Sequence, residues 1–82
     1  MNIAMEISMY PLANDYVPEI RRFIDNLAGQ PGIKVTTNTM STQVFGNIDL
    51  VMDALRDGLR RSWSSDGKAV FVIKLINSDL SP

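Results

Sequence analysis

The sequence contains no cysteine and no histidine among its 82 residues. Disulfide bonds are therefore excluded, and so are zinc sites and catalytic devices that depend on a thiol or an imidazole. A domain of this length buries roughly 60–65% of the surface that its unfolded chain exposes, which gives only marginal stability. We therefore expect a single domain over residues 1–82 that gains stability from oligomerisation, as a homodimer or homotetramer.

An excess of charge of either sign is also absent. Eight Lys and Arg residues against nine Asp and Glu residues give a net charge of -1, whereas nucleic-acid-binding domains carry a basic excess or stripe. No apolar run approaches the roughly 18–20 residues of a membrane span, and the first residues lack the basic region of a signal peptide. We therefore expect a cytoplasmic protein that binds neither nucleic acid nor membrane.

Alternation of apolar and polar residues predicts a strand over residues 2–10. Residues 33–40, rich in valine and threonine, and residues 42–46, with Val44 and Phe45, predict two more. The run 69–76, apolar on both faces apart from Lys74, predicts the fourth. In the first strand Ile3, Met5, Ile7 and Met9 share one face, and Pro11 ends the strand because proline has no N–H group for the ladder. A short polar joint from Asn38 to Ser41 predicts a hairpin. The composition of residues 77–82 is typical of an irregular segment.

Apolar residues at helical spacing predict helices over residues 15–28 and 49–63. The apolar stripes of the two helices are Val17, Ile20, Phe23, Ile24 and Leu27 in the first, and Ile48, Val51, Met52, Leu55 and Leu59 in the second. Asn14 or Asp15 can cap the first helix, and Asn47 or Asp49 the second. Glycines at positions 29 and 32 end the first helix, and the segment Ser64–Gly67 predicts a turn after the second.

The element order β-α-β-β-α-β predicts an α+β, ferredoxin-like fold. Its four-stranded antiparallel sheet has the order 4-1-3-2, and both helices cover one face. The other face, here called the open face, then carries Glu6, Ser8 and Tyr10 together with Val70, Val72 and Ile76. Such an exposed apolar strip is typical of an interface, so we expect two sheets to pack in a homo-oligomer. Folding of the C-terminal segment over the strip is the alternative.

Several functions known for this type of fold are excluded because the sequence lacks the motifs that they require. The chain has no Cys-x-x-Cys pair for a metal chaperone, no aromatic pattern of an RNA-recognition domain, and no phosphate-binding glycine loop after its first strand. We predict no catalytic residue, no metal and no cofactor, although Glu6 could serve as an acid or base. The segment Thr36–Gln43 is rich in uncharged hydrogen-bonding side chains, which suit a neutral heterocycle or a simple polar hairpin.

Two segments of the chain resemble a known family. Ile7–Leu12 followed by Asn14–Tyr16, and Ser41–Asp49 leading into 51–55, are similar to the YkoF-like family of thiamine- and hydroxymethylpyrimidine-binding proteins. The resemblance spans residues 3–76 and includes the patterns S-x-Y-P and S-T-x-x-x-G. It implies a ferredoxin-like domain that binds thiamine or its pyrimidine precursor.

The resemblance further implies a ligand site and a role. The predicted ligand-binding residues are Glu6, Ser8, Tyr10, Asn38, Thr39, Ser41 and Thr42. Hydroxyl groups would pair with the aminopyrimidine, Glu6 would balance the thiazolium charge, and Tyr10 would stack on it. We expect reversible, non-catalytic binding for transport, salvage, buffering or sensing of the vitamin. The alternative is a structural or regulatory oligomerisation module that binds a protein partner through the open face.

Overall fold

The computed structural model describes residues 1–65 and 67–82, and its elements follow the predicted order. The elements are β1 (Asn2–Pro11), α1 (Val17–Ala28), β2 (Ile33–Thr37), β3 (Thr42–Asn47), α2 (Ile48–Ser65) and β4 (Ala69–Ile76). All strand pairs are antiparallel and the sheet order is β2-β3-β1-β4. This order is 4-1-3-2 read from the other edge, so the ferredoxin-like α+β prediction is confirmed.

The core lies between the sheet and the two helices. Ile3, Met5 and Ile7 of β1 are buried, as the alternation predicted. The residues that complete the buried cluster come from both helices and from β3: Phe23, Leu27, Val44, Val51, Ala54 and Leu55. Because opposite residues of an antiparallel pair share a face, the register of Ile7 with Thr42 and with Ile73 places those side chains on the helix-covered face as well.

The predicted start of α1 is wrong by two residues. The helix begins at Val17 rather than at residue 15, and its N-cap is Tyr16, whose side chain makes no capping hydrogen bond. The proline at position 18 explains this start, because proline is tolerated only in the first turn of a helix. Val17 is exposed, so the buried stripe runs instead through Glu19, Phe23 and Leu27.

Five other boundaries differ from the prediction. β1 ends at Pro11 and β3 at Asn47, each one residue late. β2 ends at Thr37, three residues early, because Asn38 begins the turn. α2 begins at Ile48, one residue early, and the side-chain oxygen of Asn47 accepts from the backbone N–H of Asp49 at 2.9 Å, as predicted for a cap. α2 also continues to Ser65, so the predicted turn at 64–67 is wrong for its first two residues, and residue 66 lies outside the described residues.

The C-terminal segment covers one end of the open face. After β4, the irregular residues 77–82 cross the sheet, so that Leu80 lines a groove together with Ala4 and Phe45. The Lys34 ammonium group on the far edge strand donates to the Pro82 carbonyl at 3.4 Å. Phe45 is consequently only 8% exposed although it lies on the open face.

The other end of the open face remains exposed. Val70 and Val72 are 49% and 50% exposed and lie beside Tyr10 and Ser8 of β1. Ile76, at the end that the C-terminal segment crosses, is 47% exposed, so the segment leaves the apolar strip about half exposed along its whole length. Among the residues that the structure describes, no helix is both long and apolar enough to cross a membrane.

Candidate functional site

The sheet has a notch where β1 extends past β3. Ile7 pairs with Thr42, the first residue of β3, whereas the following residues of β1 through Pro11 pair with β4 alone. Along this stretch the edge of β1 that faces β3 has no ladder partner. An unpaired strand edge presents backbone N–H and C=O groups, so the notch offers both donors and acceptors to a ligand.

A cavity of about 190 Å³ occupies this notch, and we call it the strand-end cavity. Cavities of about 150 Å³ accept benzene, so its volume suits a single six-membered ring. Three elements form its walls, namely the end of β1, the turn between β2 and β3, and one side of α1. The described lining residues are Ile7, Ser8, Met9, Tyr10, Ile20, Phe23, Ile24, Thr37, Asn38, Thr39, Met40, Ser41 and Thr42.

Six of the seven predicted ligand-binding residues line this one cavity. They are Ser8, Tyr10, Asn38, Thr39, Ser41 and Thr42. Glu6 is not among the described lining residues and lies on the open face, where its carboxylate approaches the Lys74 ammonium group at 3.6 Å. The structure therefore brings together the polar side chains of the two segments, and places the carboxylate beside them rather than among them.

The turn that carries the polar side chains is held by Asn38. Its side-chain oxygen accepts from the backbone N–H groups of Met40 and Ser41 at 2.8 and 3.0 Å, and its backbone N–H donates to the Ser41 carbonyl at 3.1 Å. Asparagine commonly organises turns in this way. The side-chain oxygen of Asn38 is thus used to position Ser41, which leaves its NH₂ group for a ligand.

Glu6 acts on the cavity through Ser41. The Ser41 hydroxyl donates to the Glu6 carboxylate at 3.0 Å, and an ionised carboxylate can only accept. The proton of this hydroxyl is therefore directed to Glu6, and the lone pairs of its oxygen remain available. Ser41 is in consequence suited to accept a hydrogen bond from a ligand N–H group.

A pair of threonine hydroxyls supplies the complementary donor. The hydroxyl oxygens of Thr37 and Thr42 lie 3.1 Å apart, and Thr42 is only 5% exposed. One hydroxyl donates to the other, so the second proton of the pair stays available for a ligand acceptor. The cavity combines this donor with the Ser41 acceptor, which is the pattern required by a ring that carries both an amino group and ring nitrogens.

Several lining residues were not predicted as ligand contacts. Thr37 lies in the polar segment that the sequence analysis singled out, and its alignment opposite Thr42 in the hairpin could have indicated it. The apolar wall of α1, formed by Ile20, Phe23 and Ile24, has no distinguishing signal because its spacing is that of any core-facing helix. These side chains add an apolar surface against which a flat ring can lie.

The described lining residues carry no charge. The cavity therefore offers no electrostatic attraction to a phosphate group. Among the described residues there is also no cluster of three or more acidic side chains that could hold a metal ion. What the arrangement can do is recognise a small, uncharged, polar ring by hydrogen bonds and apolar contact.

Comparison with known proteins identifies a matching family model. The model of the YKOF-related family matches residues 2–75. No match was found among curated proteins.

Solved structures share the fold at low sequence identity. A Streptococcus pneumoniae protein is 17% identical, with a TM-score of 0.87 over 98% of this chain and 90% of that chain. A Thermotoga maritima protein, described as a candidate for thiamine biosynthesis or salvage, is 19% identical, with a TM-score of 0.83 over 95% of this chain and 85% of that one. A Bacillus cereus domain of unknown function is 17% identical, with a TM-score of 0.75 over 99% and 80% of the two chains.

Proposed function

The chain belongs to the YKOF-related family, as the sequence resemblance predicted, and on that premise we propose that it binds thiamine or hydroxymethylpyrimidine reversibly in the strand-end cavity. One observation carries the proposal: six of the seven predicted ligand-binding residues, from two separate segments, line one cavity of about 190 Å³. The similarity to the Thermotoga maritima protein described in connection with thiamine supports the ligand class. A cytoplasmic role in transport, salvage, buffering or sensing fits binding without covalent chemistry.

The hydrogen-bonding pattern supports a ring with an amine next to a ring nitrogen, as in an aminopyrimidine. The exocyclic amine of the ligand donates to the Ser41 oxygen, whose own proton is held by Glu6. A ring nitrogen accepts the available proton of the Thr37 and Thr42 pair. A ring with a different order of donors and acceptors would leave buried polar groups unpaired, which is the physical basis of discrimination at such sites.

The thiazolium part of thiamine then points out of the cavity toward the open face. Tyr10 is exposed and lines the cavity, so its ring can stack on the cation at the entrance. Glu6 contributes negative charge nearby, although Lys74 partly balances it. Because the described lining holds no Lys or Arg, thiamine and its diphosphate are expected to bind with similar affinity.

Titration calorimetry of the purified protein tests the proposal. Thiamine and hydroxymethylpyrimidine are expected to give saturable heats. Adenine contains the same aminopyrimidine ring but carries a fused imidazole, which a cavity of about 190 Å³ suited to a single ring does not accommodate, so adenine serves as the control for size. The stoichiometry per chain reports whether two subunits share a site. Absence of both heat and thermal stabilisation with thiamine and with hydroxymethylpyrimidine would overturn the proposal.

A second candidate function is an oligomerisation or partner-binding module. The observation that favours it is the half-exposed pair Val70 and Val72 beside Tyr10 on the uncovered end of the open face. A homodimer or homotetramer that packs through this surface should dissociate when Val72→Lys introduces a charge. Val17→Lys, at an exposed valine on α1, is the matched control. An unchanged mass of the Val72→Lys variant in light scattering would exclude this surface as the interface.

A further inference from the structure

A second cavity, of about 260 Å³, lies between the two helices on the side of the molecule away from the open face, and we call it the interhelix cavity. The helices approach closely here because Gly58 has no side chain. A Cβ atom at Gly58 would lie 2.9 Å from the ring of Phe23. The described lining residues are Arg22, Phe23, Asn26, Gly58, Arg61, Ser62 and Ser65.

The polar lining of this cavity is rich in hydrogen-bond donors and positive charge. Two guanidinium groups, two hydroxyls and one amide line it, and none of the described lining residues is acidic. Guanidinium groups match the oxygens of phosphate in geometry as well as in charge. The volume corresponds to several water molecules at about 30 Å³ each, so a tetrahedral oxyanion fits.

A buried hydroxyl without a partner points to a missing ligand. Ser62 lines the cavity and is only 5% exposed, yet its Oγ atom has no hydrogen-bond partner among the residues that the structure describes. Buried polar atoms are nearly always paired, so an unpaired one calls for an explanation such as an absent ion or water. The Ser62 Oγ atom has less than 1 Å² of accessible surface, so a bound oxyanion would accept its hydroxyl proton once this side chain turns toward the cavity.

The Asp57 carboxylate, which lies beside the cavity, already accepts hydrogen bonds from donors on both helices. Its Oδ2 atom accepts from Arg61 Nε at 3.0 Å, from Asn26 at 3.2 Å and from Gln30 at 3.4 Å. The hydrogen bonds from Asn26 and Arg61 lower the pKa of the Asp57 carboxyl. Only one N–H group of Arg61 is used in this pairing, and a guanidinium has further N–H groups to offer.

From the cavity, its two guanidinium groups and the unpaired Ser62 hydroxyl, we propose that the interhelix cavity binds a phosphate group. The site is separate from the strand-end cavity. A phosphate here would accept from Ser62, from Arg22 and from the N–H groups of Arg61 and Asn26 that do not donate to Asp57, and would thereby join the two helices. The proposal does not require either arginine to be without a protein partner, because a guanidinium can serve two acceptors.

Phosphate-dependent thermal stabilisation of the full chain tests this proposal. Inorganic phosphate is compared with chloride at equal ionic strength, and a saturable rise in melting temperature with phosphate is expected. The affinity should fall by about tenfold in Arg61→Gln and measurably in Ser62→Ala. Arg56→Gln is the matched control, because Arg56 lies on the same helix and pairs with Asp53 but does not line the cavity.

Each result decides the question. Equal stabilisation by phosphate and chloride, or the same loss in Arg56→Gln as in Arg61→Gln, would overturn the proposal. Should Arg61→Gln fail to fold, Ser62→Ala alone must still lose affinity, since it removes one buried hydroxyl without changing charge. A phosphomonoester such as ethanolamine phosphate distinguishes the source: tighter binding than inorganic phosphate identifies a phosphorylated metabolite, and weaker binding identifies the free ion.

Discussion

Replacement of Thr42 by valine is the sharpest test of the strand-end cavity. Valine has the shape of threonine and lacks only the hydroxyl, and Thr42 is 5% exposed, so the change removes one hydrogen-bonding group with little effect on packing. Within the hairpin the loss affects only Thr37, whose hydroxyl lies 3.1 Å away and can turn to water because Thr37 is exposed. The free energy of unfolding should therefore change by less than about 1 kcal/mol.

Binding should be affected more than folding. Without the Thr42 hydroxyl the pair can no longer direct a proton to the ligand, and a ring nitrogen inside the cavity is left unpaired. The expected loss is about 1–2 kcal/mol, which corresponds to roughly a fivefold to thirtyfold increase in Kd. Calorimetric titration with hydroxymethylpyrimidine measures the affinity, and thermal unfolding followed by circular dichroism measures the stability of the same samples.

Thr42→Ser is the matched control. It keeps the hydroxyl and removes a methyl group, so it should retain most of the affinity although it loses some stability by leaving a small cavity. The reasoning is refuted if the valine variant binds as tightly as the parent while both are folded. It is equally refuted if the serine variant loses as much affinity as the valine variant, because the hydroxyl would then not be the decisive group.

Three further predictions concern stability. Glu19→Met should raise the free energy of unfolding by about 1–3 kcal/mol, because Glu19 is buried and its Oε2 atom lacks a partner among the described residues; a lower denaturation midpoint would contradict this. Gly32→Ala should cost about 1–2 kcal/mol, since Gly32 has a φ of 79°, whereas Gly29→Ala, at a φ of -81°, should be nearly neutral in the same denaturant titration. Asp57→Asn should make the protein less sensitive to acid. The lowered pKa of Asp57 contributes stability that is present above its ordinary value of 3.8 and is lost as the pH falls through the folded-state pKa. Urea unfolding at neutral pH and near pH 3 should therefore show a smaller acid loss in the variant than in the parent, and equal losses would show that this carboxyl is not responsible.

The sheet was predictable from local pattern, because the period of two in β1 determines which side chains face the helices. Ala4, on the opposite face, is buried as well. The helix start was less predictable. Val17 has the right spacing for the apolar stripe, yet it is the first helical residue and lies at the end of the core, where few neighbours can cover it. Glu19 is buried, although its hydrophobicity alone predicts an exposed position.

The site was predicted in its residue types rather than in its geometry. The sequence analysis identified the polar turn and the end of β1 as candidate ligand-binding segments. Their contact in the fold depends on the register that pairs Ile7 with Thr42, because this register determines where β1 extends beyond β3. No local sequence pattern determines that register to within one residue. Glu6 illustrates the same point: alternation correctly places it on the open face, and only the three-dimensional position of Ser41 shows that it reaches the cavity through another side chain.

The open face links the proposed ligand site to assembly. Residues 77–82 cross the end with Ala4 and Phe45, whereas Val70 and Val72 at the other end are about half exposed and offer an apolar contact to a second copy. Tyr10 belongs to that end and also lines the strand-end cavity. A second copy docked there would contact the same tyrosine that we propose to stack on the ligand, and ligand affinity would then depend on assembly. A monomeric variant that binds thiamine as tightly as the oligomer would show that the two surfaces act independently, whereas a joint loss would mean that the cavity is completed only when two sheets meet.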